Sequence, residues 1–212
     1  MYPLFYIWYK GNNIKQHMEF KSLVHDFTPE EFADFYKKRE GMATSRVTDL
    51  SEKSIDYMLE RIDANAENLV DVGSGNGYFL KKVEQKYPQI KLHACDLGKK
   101  PKLVDCDFKM GDVENLPYED QSIDVVTCHH TLEHVLDLDQ SVRELKRVAK
   151  KQVVVVVPCQ RYFYYTLDEH VRFFHYKATL TAAMKMKNFV CQKVWGDWVF
   201  IGDMEKERSQ AK

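Results

Sequence analysis

The sequence predicts an α/β protein built as one domain, a largely parallel sheet wound on both faces by helices. Three observations predict it. Leu69, Val70 and Val72 make a short apolar strand that runs into Gly73-Ser74-Gly75-Asn76-Gly77 and then a helical pattern, the strand–turn–helix order of a parallel-sheet unit. Strand-like and helix-like runs then alternate as far as Lys150. Val153 to Val157 is five valines in a row, which suits a central strand buried on both faces.

Composition narrows the class. The 212 residues carry 31 Lys+Arg against 32 Asp+Glu, a formal net charge of −1. That length supports one real core, and that balance gives no broad basic face for nucleic acid. Cys95, Cys106, Cys128, Cys159 and Cys191 are odd in number and include no C-x-x-C pair. They read as reduced thiols of a cytoplasmic protein. His93, Cys95 and Cys106 are too dispersed for zinc, and no metal is expected. Met1 to Tyr9 is apolar and aromatic but too short to span a bilayer, and it lacks a signal-peptide pattern. It reads as a cover on the core, with a docking arm and a membrane-surface contact as alternatives.

In chain order, Thr28-Pro29-Glu30-Glu31 is a helix start, with Thr28 as N-cap, Pro29 in the first turn and Glu31 as capping-box partner. Phe32, Phe35 and Tyr36 follow on one face. Gly41 and Thr44 to Thr48 form a loop. A second helix starts near Asp49 or Ser51 and buries Ile55, Met58, Leu59 and Ile62. Tyr78 to Tyr87 should be a helix stopped by Pro88. Ile90 to Cys95 alternates as the second strand, closing on Asp96. The crossover after Leu97 is too short and lysine-rich for a helix, so a loop and a third strand over Val104 to Lys109 are expected. Ser122 to Cys128 is the fourth strand. Val142, Leu145 and Val148 mark a helix over Asp139 to Lys150, whose basic residues (Arg143, Lys146, Arg147, Lys150 and Lys151) read as a solvated face. After Val153–Val157 and Pro158, the stretch from Cys159 to Tyr176 is rich in aromatic residues, including Tyr162, Phe163, Tyr164, Tyr165, Phe173 and Phe174. Lys177 to Met186 reads as a helix. Val190–Trp195 and Trp198–Met204 pair as a hairpin about Gly196-Asp197, and residues after Lys206 are charged and expected to fray.

The glycine turn carries the chemistry. Glycine permits positive φ and close ligand approach, and the helix after it points free N–H groups at the turn. The spacing is G-x-G-x-G, one residue short of the dinucleotide fingerprint. Asp71 precedes it by two residues; a carboxylate there repels a pyrophosphate and suits an ammonium group.

The stretch Asp71-Val72-Gly73-Ser74-Gly75-Asn76-Gly77 resembles motif I of the class I S-adenosylmethionine-dependent methyltransferases. Gly111-Asp112-Val113-Glu114-Asn115-Leu116-Pro117 resembles that family's G-D-x-x-x-L-P segment, and Asp124-Val125-Val126 with Leu132-Glu133-His134 resembles its small-molecule group. The resemblance implies a Rossmann-like doubly wound sheet of seven strands in the order 3-2-1-4-5-7-6, the seventh antiparallel, with an N-terminal helical cap. It divides the chain into an arm and cap over 1–65, a cofactor-binding methyltransferase domain over 66–206 and a frayed tail over 207–212.

The implied cofactor is S-adenosyl-L-methionine. Its amino-acid end would lie on Asp71, Gly73, Ser74, Gly75 and Gly77. Asp96, with Leu97 beside it, would take the ribose hydroxyls, Asp112 and Val113 the adenine, and His129 would flank the methyl donor. Three histidines are candidates for a general base: His170, set beside Asp168 and Glu169 in the aromatic segment, and His130 and His134 after the fourth strand. The Asn-Pro-Pro-Tyr type of tetrad used on planar amino nitrogens is absent where His129-His130-Thr131-Leu132 stands. The expected activity is O-methylation of a small molecule or glycan. A nucleic-acid or protein methyltransferase and a catalytically silent cofactor-binding subunit are the alternatives. The N-terminal and aromatic segments are the candidate surfaces for a homodimer.

Overall fold

The computed structural model describes residues 14–38, 47–98, 100–162 and 169–210. The arm at 1–9, Gly41 and Thr44 of the first loop, Phe163, Tyr164, Tyr165 and Asp168 lie outside the described residues.

The sheet has seven strands in the order β3-β2-β1-β4-β5-β7-β6. They are β1 Asn68–Val72, β2 Lys91–Asp96, β3 Asp107–Met110, β4 Ile123–His129, β5 Ala149–Pro158, β6 Phe189–Val194 and β7 Asp197–Asp203. β1 to β5 are parallel, and β7 is antiparallel to both β5 and β6. The helices are α1 Ile14–Leu23, α2 Pro29–Lys38, α3 Glu52–Leu59, α4 Tyr78–Lys86, α5 Leu138–Val148, α6 Lys177–Met184 and α7 Met204–Ser209.

The five valines behave as their pattern requires. Val153, Val155 and Val157 enter one core with Val70, Val126, Leu145 of α5 and Leu180 of α6. Val154 and Val156 enter the other with Ile55 and Met58 of α3 and Leu80 and Val83 of α4. Each strand residue thus points opposite to its neighbours, and both faces exclude water. A third cluster joins Phe20 of α1 and Phe35 of α2 to Leu136 and Val171. It seats the N-terminal helices beside the segments that follow β4 and β5.

The capping box forms as its residues dictate. Thr28 N–H donates to Glu31 Oε2 at 2.8 Å and Glu31 N–H to Thr28 Oγ1 at 3.2 Å. Ser51 caps α3 by accepting from Ser54 N–H.

Several boundaries differ from the sequence expectation. α1 has no counterpart there. β3 starts at Asp107, not Val104, because Val104 and Cys106 are buried in the core beneath α4 instead of pairing as strand. The helix expected to reach Lys150 stops at Val148, and β5 begins at once with Ala149; Ala149 is fully buried and extended. The hairpin turns at Trp195-Gly196, one residue early, since Val194 pairs with Asp197. The frayed tail is replaced through residue 209 by α7. Asp203 caps it by accepting from Lys206 N–H, Glu207 accepts from the N–H groups of Lys187 and Asn188, and the Arg208 guanidinium donates to the carbonyls of Lys150 and Ala149. Charged residues here satisfy strand ends, so charge did not mean disorder. On α5, Arg147 is held by Glu144 and Asp120.

Candidate active site

The glycine turn leaves the carboxyl end of β1, and its three glycines all have positive φ (74°, 52° and 85°). Their surroundings differ. A Cβ on Gly73 would stand 2.1 Å from Thr131 Oγ1, and one on Gly77 would stand 2.7 Å from Pro101 and 2.9 Å from Val104. Those two glycines admit neighbouring protein: the loop after β4 and the crossover between β2 and β3. Among the described residues a Cβ on Gly75 would meet nothing within 4 Å, so of the three Gly75 has the most open surroundings.

Asp71 is buried at the end of β1. Its Oδ1 accepts from Thr127 Oγ1 at 2.8 Å and lies 3.2 Å from His129 Nδ1. Thr127 and His129 reach it because β4 pairs alongside β1, with Asp71 opposite Thr127. The ring of Phe79 packs edge-on against His129 at 4.4 Å.

Asp96, at the end of β2, pins the turn. Its two oxygens accept from Gly75 N–H at 2.9 Å and Gly98 N–H at 2.8 Å. A carboxylate has about four acceptor sites, so this use leaves capacity for ribose hydroxyls. Leu97 follows in the bend after β2, half-buried. Gly111 N–H donates to the Asp96 carbonyl, which brings Asp112 and Val113 next to Asp96. Asp112 Oδ1 closes a turn by accepting from Glu114 N–H at 2.9 Å, and Val113 is buried. The ten positions expected at the cofactor thus occupy the carboxyl ends of β1, β2, β3 and β4, where ligands bind in open α/β sheets.

The three candidate bases also converge. His130 follows β4 with φ of 47°; its Nδ1 lies 3.2 Å from Glu133 Oε1 and its Nε2 3.5 Å from Asp197 Oδ1. Asp197 is held in turn by Ser54 Oγ at 2.9 Å. Burial alone would lower the His130 pKa, but Asp197 and Glu133 outweigh it and raise it to about 10. Held between these two carboxylates, His130 favours the imidazolium, which already carries the proton that a base would have to take. Glu133 is fully buried. Burial pushes its pKa up, yet His130, with His134 and His170 nearby, brings it below the ordinary value. His170 Nε2 is 4.0 Å from Glu133 Oε1, and its Nδ1 meets Gln160 Oε1. His134 Nδ1 meets the Glu169 carbonyl at 3.3 Å, and its ring packs edge-on against His170. Glu133 thus sets a carboxylate near His170, and Glu169 turns its carbonyl to His134.

A family model described as "Methyltransferase domain" matches residues 70–157, the span from β1 through β5. Over that span the chain is similar to a methyltransferase domain, and the strand order is the one that the resemblance to the class I S-adenosylmethionine-dependent methyltransferases implies.

Among similar curated proteins, the methyltransferase domain is 28% identical over 102 residues to demethylmenaquinone methyltransferase of Thermotoga maritima, covering 45% of this chain and 44% of that one. It is 27% identical over 124 residues to malonyl-[acyl-carrier protein] O-methyltransferase of Halorhodospira halophila, covering 50% and 40%. The matched region is therefore less than half the length of these relatives. Among solved structures, a methyltransferase of Haloferax volcanii in complex with the Trm112 activator superposes with a TM-score of 0.59 at 15% identity, covering 88% of this chain and 97% of that one. That likeness concerns the fold.

S-adenosylmethionine is the cofactor of the superfamily, and the residues present fit it. Ser74 Oγ and His129 Nε2 are buried without a hydrogen-bond partner among the described residues. Buried polar atoms are normally paired, and a cofactor carrying an ammonium and a carboxylate supplies partners for both. Gly75 gives it backbone access.

Sequence reasoning missed Thr127, Glu133, Gln160, Asp197 and Ser54 as parts of the site. Glu133 had a signal, since it sits between His130 and His134 within one turn. Asp197 and Ser54 had none, because tertiary packing alone brings them to His130.

Proposed function

We propose that the chain catalyses S-adenosylmethionine-dependent methylation of a hydroxyl oxygen on a small molecule or glycan. Bound S-adenosylmethionine supplies a methyl group already activated on a sulfonium sulfur. The chain's own part is to place it and to take up the acceptor's proton. Asp71, Ser74, Gly75 and His129 hold the amino-acid end, Asp96 the ribose, and Asp112 with the Val113 N–H the adenine.

One observation carries the choice of a hydroxyl: His170 is set between Gln160 and Glu133 at the carboxyl end of the sheet. Gln160 Oε1 can only accept, so Nδ1 carries its proton and Nε2 the lone pair in the neutral ring. A proton arriving at Nε2 meets the Glu133 carboxylate 4.0 Å away, which stabilises the imidazolium. Hydroxyl acceptors need such a group. The Halorhodospira halophila relative is named an O-methyltransferase, in keeping with this reading. The five cysteines are free, and burial pushes Cys95 up to about 12, which suits a reducing cytoplasm. Among the described residues no helix is long and apolar enough to cross a membrane.

The test is transfer of a labelled methyl group from S-adenosylmethionine into fractionated cell extract. Label in a small-molecule or glycan fraction, lost about 10²–10⁴-fold in rate with His170→Ala at unchanged cofactor affinity, is the expected result. Label confined to protein or nucleic acid would overturn the acceptor class. Tight cofactor binding without transfer would make the chain a silent subunit.

A further inference from the structure

Glu133, His134 and His170 each place one ligand atom within 4.8 Å of the other two. They come from two segments that are tied together, because the N–H groups of Val171 and Arg172 both donate to the Glu133 carbonyl, at 2.8 and 2.9 Å. The Glu133 carboxylate is wholly buried, and its Oε2 has no hydrogen-bond partner among the described residues. His130 Nδ1 lies 3.2 Å and His170 Nε2 4.0 Å from its Oε1. A buried carboxylate costs several kcal/mol unless cations and hydrogen bonds compensate it, and here the hydrogen bonding is incomplete.

The histidines are arranged as metal ligands are. A ligating imidazole ordinarily gives its other ring N–H to a carbonyl or carboxylate oxygen, which fixes ring and tautomer. His170 Nδ1 meets Gln160 Oε1 and His134 Nδ1 meets the Glu169 carbonyl. Both contacts put the lone pair on Nε2. The carboxylate ligand is backed likewise, by His130, which Asp197 braces.

We propose that Glu133, His134 and His170 form a binding site for one divalent transition-metal cation, zinc foremost. Two imidazoles and one carboxylate are a donor set that zinc accepts, leaving a fourth position for an oxygen donor. Bonds of about 2.0–2.2 Å hold two ligands of a tetrahedron roughly 3.4 Å apart, so the three atoms draw in by about an ångström when the ion enters. The site stands on this geometry and not on the acceptor proposed above. With the ion bound His170 is a ligand, and uptake of the acceptor's proton falls to the metal-free protein alone.

Calorimetric titration of the chelator-treated full chain with Zn²⁺, and with Co²⁺ as a spectroscopic probe, tests this without any activity. One equivalent should bind with proton release at lower pH, with visible Co²⁺ bands of low coordination number and no thiolate charge-transfer band. His134→Ala and His170→Ala should each weaken binding at least about tenfold, while Cys159→Ser should not. Glu133→Gln should abolish it where circular dichroism shows a folded chain; the histidine variants decide the matter where it does not. Unchanged affinity in the His134→Ala/His170→Ala double variant, or a thiolate band, would overturn the site. Loss of metal binding leaves the methyl-transfer assay free to succeed, so the two readings fail separately.

Discussion

The glycine turn and the histidine cluster sit at the same end of one sheet but are built by opposite means. In the turn, backbone is the material: three positive-φ glycines, amides aimed at Asp96, and one carboxylate held by its strand neighbours. In the cluster, side chains from β7, α3 and the loops after β4 and β5 meet around one buried carboxylate, and His130 and Glu169 adopt positive φ without being glycine. Such backbone is maintained only where its surroundings over-determine it. Backbone sites tolerate change in side chains and fail by steric intrusion. Side-chain sites fail when one partner leaves another charged and alone.

The largest effect should therefore come from Glu133→Gln, which takes from the buried His130 imidazolium one of its two carboxylates and leaves it Asp197 alone. Breaking a buried pair costs about 3–5 kcal/mol, readable as a fall in the denaturant midpoint. A shift below about 1 kcal/mol would mean that the pair is not charged. The same pair has a pH signature. The ordinary histidine value is 6.5 and the value in the fold about 10. Stability from the imidazolium is thus fully present below about 6.5 and drains away as pH rises to about 10. His130→Gln should flatten stability across that window; an identical pH slope in the variant would dismiss the assignment.

Next in size is Gly73→Ala. Left-handed strain and the clash with Thr131 together should cost roughly 2–4 kcal/mol. Gly75→Ala meets open space and should cost only about 1–2 kcal/mol, while weakening S-adenosylmethionine binding more than Gly73→Ala does per unit of stability lost. Equal stability losses in the two would remove the distinction between them.

Asp96→Ala should reduce S-adenosylmethionine affinity at least tenfold, about 1.4 kcal/mol, in isothermal titration. It should also loosen the turn, because Gly75 and Gly98 lose their acceptor. An unchanged dissociation constant would confine Asp96 to the latter role. The smallest effect is expected for Thr127→Val, which removes one neutral donor to Asp71 and should cost about 1 kcal/mol; no loss at all would show that Asp71 is held without Thr127.

The contrast also explains what could be read in advance. The turn is contiguous, so Asp71 to Gly77 displays its spacing in one line, and Val153–Val157 declares its burial by composition alone. Strand order followed from the family resemblance, and the sheet has that order. The cluster was legible only in fragments. His130, His134 and His170 were visible as histidines near strand ends, but no local pattern says that His130 lies between two carboxylates. Nor does any say that Glu133, distant in sequence, sets its carboxylate near His170. Val104 misled because apolar residues in a short crossover fill space beneath a helix as readily as they extend a strand. α7 was missed because its charged residues find their partners on strand ends distant in sequence.

The place of β7 has a consequence for the order in which the molecule matures. β7 lies between β5 and β6, although both precede it in the chain. During synthesis β5 must wait with an open edge until residues 197–203 emerge, and an unpaired central strand of five valines is a target for unwanted pairing. The β6–β7 hairpin can close locally within microseconds, but it then has to dock as a unit against β5. That docking also brings Asp197 to His130. The histidine cluster therefore completes only when the sheet does, and a nascent chain already holding its glycine turn would still lack the far wall of the site.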